Sequence, residues 1–389
     1  MQNRRKETGM ASPQSPDQKG RPLVMVTGVA DELGESLVQA LQDNYRVVAC
    51  GKSVPATRSP CVDYVQMDQS DTASVQSALH QIRRHHGDSI YSAIDLSGYH
   101  DSAQVADDST RTLSEEATRR LMTGLLDFHV NQVVYISSTS VIEPAQIGET
   151  VCEESPTMSD EPFPEARLAA EEVVEELAGA ASTVILRIGD VYNSRGWSTR
   201  LARQIARIAE KQAASYVFPG DVNAGQCRIH IDDLCDCLNR VIRRASHLQQ
   251  RELFLITEPE ILSYAELQEI LGQMIHGVAW PAIRIPQVVA RAGAWVADHL
   301  QSTDARDRNL RWPLHQLNQH YAANVTRAET LLEWSPAHSF RSELSEIISV
   351  FRQDPQQWYE MHNIPLPDNP QDLTPVAEPE TVHSAVNSP

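Results

Sequence analysis

Lysine is nearly absent from this chain of 389 residues: Lys6, Lys19, Lys52 and Lys211 are its four. None has a tyrosine four residues before it, which excludes a tyrosine–lysine pair spaced by one helical turn. Cations as a class are also short, with 33 basic against 52 acidic residues and a net charge of −19. That balance argues against a surface that grips duplex nucleic acid by neutralising phosphates, so no nucleic-acid partner is expected.

Cysteines number six and are scattered, and the one close pair, Cys235 with Cys237, falls in a helical pattern where residues two apart point away from each other. No metal site is expected there, and the thiols suit a reducing, cytoplasmic setting. A long uninterrupted apolar run is missing too. The most apolar long stretch, from Val278 to Leu300, is broken by Arg284, Arg291 and Asp298. It therefore reads as an amphipathic helix of a smaller lobe and not as a membrane span, which needs about 20 apolar residues. Met1 to Arg21 is polar and carries Arg4, Arg5 and Lys6 without an apolar stretch behind them, so no signal peptide is expected.

What remains is ordinary globular material, 41% apolar and 22% charged. The length suits one large α/β domain with a smaller lobe, since single cores stop growing at roughly 250 to 300 residues. Short β-rich runs alternate with helical patterns: Leu23–Thr27, Glu35–Gln42, Arg46–Cys50, Thr72–Arg84, Ser92–Leu96, Ser114–His129, Gln132–Ser137, Arg167–Leu177 and Thr183–Ile188. Such alternation predicts a Rossmann-type, doubly wound parallel sheet covered by helices on both faces.

Beyond Tyr192 the alternation loosens, and the strand-like pieces Cys227–Ile231 and Leu253–Thr257 are assigned back to the sheet domain. The expected organisation is a dinucleotide-binding domain of 21–192 plus 225–257, and a mostly helical substrate lobe of 193–224 plus 258–353. Segments 1–20 and 365–389 are expected to be flexible tails, rich in polar residues and proline without apolar periodicity.

The first strand runs directly into Thr27-Gly28-Val29-Ala30-Asp31-Glu32-Leu33-Gly34 and then a helix, the place for a phosphate-binding loop. Gly28 allows the turn and Gly34 allows helix to pack on strand, but the glycine expected between them is Asp31. Two carboxylates, Asp31 and Glu32, would face a pyrophosphate that normally rests on free N–H groups. Each like-charge contact at ~4 Å costs about 1 kcal/mol in water and about 4 at an effective dielectric of 20. Two readings stand open: an occupied phosphate site, or a helix whose orphan N–H groups Asp31 caps itself. After the second strand, where an acid usually meets the NAD ribose, stand Gly51, Lys52 and Ser53. A 2′-phosphate is then tolerated, so the expected coenzyme is NADP or NAD, and Lys52 is either its partner or a solvated loop lysine.

Val133-Val134-Tyr135-Ile136-Ser137-Ser138-Thr139-Ser140-Val141 closely resembles the fifth strand of the extended short-chain dehydrogenases of the NAD-dependent epimerase/dehydratase family. Leu186-Arg187-Ile188-Gly189-Asp190-Val191-Tyr192, Arg228-Ile229-His230-Ile231-Asp232-Asp233-Leu234 and Leu332-Glu333-Trp334-Ser335-Pro336 resemble later family motifs, and the likeness spans roughly residues 21 to 350. It implies the Rossmann fold, a nicotinamide coenzyme and a small carbonyl, sugar or nucleotide-sugar substrate, and it leaves a homodimer open. By the same resemblance, Asp68 lies near the adenine, Ser97 and Gly98 lie beside the nicotinamide ribose, and Ser138 is the catalytic hydroxyl. The alternative for Ser138 is that Ser137 to Ser140 only terminate a strand.

Family members place a tyrosine and a lysine where Phe163 and Arg167 stand here. Phenylalanine has no ionisable proton, so the general acid–base contribution, typically 10²- to 10⁴-fold, is missing. Arg167 retains donors for a ribose but stays charged. Pro164 is suited to open the following helix, with Phe163 before it biased towards extended backbone. Tyr99, His100, Asp101, Asp190 and Tyr192 should lie near the sheet's carboxyl edge and are further acid or base candidates, and Asp232 or Asp233 is expected to cap the helix after Ile231. Two functions follow from different classes: an oxidoreductase-like enzyme with an altered relay, or a nucleotide-binding module without turnover.

Overall fold

A computed structural model of the chain describes residues 20–29, 32–54, 58–97, 108–158, 161–285 and 319–367. Seven parallel strands form the central sheet: β1 (Leu23–Thr27), β2 (Arg46–Gly51), β3 (Val62–Gln66), β4 (Ser89–Asp95), β5 (His129–Ser138), β6 (Ser182–Ile188) and β10 (Arg251–Ile256). Their order across the sheet is β10-β6-β5-β4-β1-β2-β3. These segments are Val- and Ile-rich with little polar alternation because both faces are covered: β1, Leu-Val-Met-Val-Thr, is buried at every position.

One face packs under α1 (Glu32–Leu41), α6 (Ile231–Arg243) and α8 (Thr326–Leu332), and the other under α2 (Thr72–His86), α3 (Asp108–Leu125) and α4 (Pro162–Leu177). The expected doubly wound Rossmann sheet is thus present. A third apolar cluster gathers α5 (Thr199–Ala209), α7 (Tyr264–His276), α9 (Phe340–Gln353) and α10 (Pro355–Met361).

Arg228–His230 (β9) does not enter the main sheet and instead pairs in parallel with Asp190–Tyr192 (β7). Between β6 and β7 the chain passes Gly189, where a Cβ would meet the Cys227 carbonyl oxygen at 2.9 Å. The missing side chain brings the two backbones together and lets the strand pair leave the sheet. Leu253–Thr257 does return to the sheet as β10, paired with β6. Two short strands, β8 (Val217–Phe218) and β11 (Ile283–Arg284), pair separately. The helix expected over 278–300 is corrected at its start, since residues 278–285 are not helical and include β11; the rest of it lies outside the described residues.

Capping also differs from expectation. His230 is the N-cap of α6, its Nδ1 accepting from Asp232 N at 3.2 Å. Asp233 turns away from the helix and fastens the closing segment: it accepts from Ala337 N, His338 N and His338 Nδ1, each at 3.0 Å. The Asp233 carbonyl takes the Trp334 indole N–H at 3.1 Å. A buried carboxylate with three donors is worth more here than as a cap, because the 334–338 segment has no ladder to satisfy its N–H groups.

Asp233→Ala removes the acceptor for two backbone amides at once and is expected to destabilise the fold by about 3 kcal/mol. Urea denaturation measures this, and a loss below about 1 kcal/mol would show that the segment is held by packing alone.

Candidate functional site

The strand order reverses between β1, which neighbours both β2 and β4, and the rest of the sheet, so the carboxyl ends of β1 and β4 border a crevice. Gly28 follows β1 with φ of 80°, and a Cβ there would meet Ser97 N at 2.6 Å. This is the turn and the close approach that the sequence reserves for glycine. Gly34, inside α1, packs so tightly that a Cβ would meet Val29 Cα at 2.7 Å. Thr27, Gly28, Glu32, Leu33 and Gly34 lie at the junction of β1 and α1, with Leu33 buried in the core. Ala30, Asp31 and Gly98 lie outside the described residues, as do Tyr99, His100 and Asp101.

At the end of β2, the Val29 amide donates to the Cys50 carbonyl at 3.1 Å and Met67 N to the Gly51 carbonyl at 2.8 Å. A Cβ on Gly51 would overlap the Val29 carbonyl oxygen. No side chain fits at that position with the loop as it lies. Lys52 pairs with Asp68 at 3.5 Å, and Asp68 also accepts from Ser70 N at 2.9 Å and Ser70 Oγ at 2.6 Å. The Ser70 hydroxyl holds the Asp68 carboxyl below its usual range; burial opposes it, and the Ser70 amide and Lys52 add to the lowering.

Beneath the loop sits a polar knot that the sequence did not reveal. Asp95 Oδ1, at the end of β4, accepts from Thr27 Oγ1 at 2.8 Å, Ser97 N at 3.0 Å and Gln69 Nε2 at 3.2 Å. Three segments that border the crevice are tied to one buried carboxylate oxygen.

Ser138 ends β5 half-buried, and its Oγ accepts from Ser140 N at 3.2 Å and from Ser140 Oγ at 2.9 Å. It caps the 3-10 turn Thr139–Val141, which packs on α4. A hydroxyl with its lone pairs occupied still has one proton to donate, so capping and substrate contact are compatible.

Helix α4 starts earlier than expected, at Pro162. Phe163 is therefore helical and not extended. Both prolines fit because the first-turn N–H groups have no intrahelical acceptor to lose. Arg167 is 1% exposed, and its Cζ lies 4.9 Å from the centroid of the Phe163 ring.

The guanidinium faces Tyr135, whose phenol is pushed up by burial first, with Arg167 opposing and Asp95 and Glu171 reinforcing. One turn further along α4, Glu171 takes Arg187 Nε at 3.1 Å and Arg187 Nη2 at 2.7 Å, and also accepts from Ser137 Oγ at 2.5 Å. The position of Glu171 four residues after Arg167 was a legible signal; the partner strand residue was not.

Tyr192 is removed from the acid–base candidates. It is fully buried, its hydroxyl donates to Glu258 Oε1 at 2.5 Å, and burial drives its pKa upward. Glu258 Oε2 takes the Phe340 amide at 2.8 Å. Asp190 faces Arg200 at 3.8 Å.

Among the described residues, one group has metal-ligand spacing: His230, Asp232 and His338. The two imidazoles stack with centroids 3.9 Å apart and planes 19° from parallel. Their in-plane lone pairs cannot converge on one ion, and both Nδ1 atoms already have partners.

The described residues hold no helix long and apolar enough to cross a membrane. The switch-point crevice and glycine loop define a dinucleotide-type α/β site. The profile of the NAD dependent epimerase/dehydratase family matches residues 24–256, and the chain belongs to that family. No curated protein sequence matches significantly.

Among solved structures, the fold is similar to UDP-glucose 4-epimerase from Bifidobacterium longum in complex with NAD+ and UDP, with a TM-score of 0.62 at 16% identity, covering 86% of this chain and 99% of that one. It is similar to UDP-glucuronic acid 4-epimerase from Bacillus cereus with UDP-glucuronic acid and NAD, with a TM-score of 0.61 at 17% identity over 85% and 99% of the two chains. It is also similar to dTDP-glucose 4,6-dehydratase from Bacillus anthracis with NAD, with a TM-score of 0.63 at 13% identity over 87% and 99%. At these identities the likeness is one of fold.

Gly51→Ala forces the Val29 carbonyl to move and is expected to cost about 1–3 kcal/mol, the usual range for overpacking. Chemical denaturation checks it; an unchanged midpoint would mean that the loop yields freely and that the position has room for an acid.

Proposed function

We propose that this chain is an NAD(P)-binding, oxidoreductase-like member of its family that acts on a small carbonyl, sugar or nucleotide-sugar substrate without the tyrosine–lysine proton relay. A dinucleotide fits the residues present: Gly28 gives a cradle that a Cβ would fill, Gly34 seats α1 against the loop, and a helix N-terminus favours an anion. When bound, the nicotinamide coenzyme supplies hydride donor or acceptor chemistry.

The chain's own residues divide the remaining work. Thr27 and Ser97 border the crevice through their bonds to Asp95, and Ser138 has a proton to donate to a substrate oxygen. The division into a coenzyme domain and a substrate lobe, with the substrate between them, belongs to the same proposal. The absence of a ribose acid at Gly51, with Lys52 beside it, supports NADP as readily as NAD.

The observation that carries the altered relay is the pairing of Phe163 with a buried Arg167. No proton can leave the ring, and the guanidinium lies among Tyr135 and Glu171 instead of on an open surface. That burial also favours a second reading, a nucleotide-binding module with no turnover.

Fluorescence titration with NADPH and NADH, followed by a turnover screen, separates the two. Binding is expected for wild type, with the double variant Phe163→Tyr/Arg167→Lys raising turnover roughly 10²-fold or more and Ser138→Ala abolishing it. Turnover that stays at zero in the double variant selects the module, and failure to bind either coenzyme overturns both readings.

A further inference from the structure

We propose that Arg195 is a specificity residue for the coenzyme's phosphates, stored on Glu32 and handed over when a pyrophosphate enters. The inference rests on the coenzyme-binding reading above. Glu32 is the first residue of α1, so its carboxylate stands at the helix end where an anionic ligand would lie. Left alone, it would repel that ligand. It is not alone: Arg195 Nη2 donates to Glu32 Oε1 across 163 positions of sequence. The start of α1, in a chain with a net charge of −19, thus receives a cation from another part of the fold.

The loop that carries Arg195 is preset and is anchored away from the Rossmann sheet. Asn193 Oδ1 accepts from Arg195 N at 3.0 Å and from Trp197 N at 3.2 Å, and the Asn193 carbonyl takes Gly196 N at 2.8 Å. Gly196 has φ of 68°, and a Cβ there would overlap the Trp358 ring. His362 Nε2 and the Arg195 carbonyl are 3.2 Å apart. The backbone is therefore clamped against α9 and α10 while the guanidinium is held out, with 57% of the side chain exposed.

A rigid backbone with a free-reaching guanidinium can trade one oxyanion for another without refolding. A diphosphate offers the planar fork more oxygens and more charge than one carboxylate does. The transfer would draw the helical cluster onto the bound coenzyme and leave Glu32 as the penalty that a ligand without phosphate cannot offset.

Calorimetric titration of the full chain with NADPH and with NADH tests this. Arg195→Gln is expected to weaken binding about tenfold to a hundredfold, the range for a hydrogen bond to a charged group. The same loss is expected on a Glu32→Gln background, and Glu32→Gln alone is expected to tighten binding. The pair is on the surface, so the melting temperature of each variant should stay within about 3 °C of wild type. Wild-type affinity should fall with added salt, a reading that needs no variant.

The proposal is overturned if Arg195→Gln leaves affinity unchanged, if its effect vanishes on the Glu32→Gln background, or if wild-type affinity ignores salt. In each case the coenzyme reading stands. If neither wild type nor Glu32→Gln binds a coenzyme, both fall together.

Discussion

The contact between Gly28 and the backbone at Ser97 is the constraint on which the crevice depends. A Cβ at Gly28 would meet Ser97 N at 2.6 Å, so β1 and β4 can end side by side only because that atom is missing. From this approach follow the Asp95 knot, whose single oxygen serves Thr27, Ser97 and Gln69, and the direction in which α1 departs. The sheet supplies the switch point, but the glycine sets how closely its two lips meet.

Around that junction the side chains of Phe163 and Arg167 lie against the interior. Lysine at the position of Arg167 would be a compact cation on a flexible stem; arginine brings a flat, weakly hydrated plane that stacks on Phe163 and lies next to Tyr135. With Glu171 and Arg187 already paired bidentately one turn further along, the guanidinium adds a second buried cation to the same region. Phe163 and Arg167 are thus part of the packing at this corner.

Much of this was legible in the residues. The β-rich runs marked the main strands, and Thr27 to Gly34 marked the loop, because both patterns are local. Phe163 and Arg167 stood out because four lysines leave few places for a hidden pair. What stayed illegible was long-range: the Asp233 tie to the 334–338 segment, the β7–β9 pairing outside the main sheet, and Arg195 on Glu32. No periodicity reports a partner a hundred residues away. The helix start at Pro162 was missed for another reason, since two prolines in one turn read as punctuation although the first turn tolerates both.

The crowding at Gly51 has a consequence for sequence change. Because the Val29 carbonyl fills the space a Cβ would need, an acid could stand at that position only together with a movement of the neighbouring loop. Two coordinated changes are far rarer than one. Single substitutions can therefore vary the rim around Lys52 stepwise, while a carboxylate at Gly51 is closed to any single step.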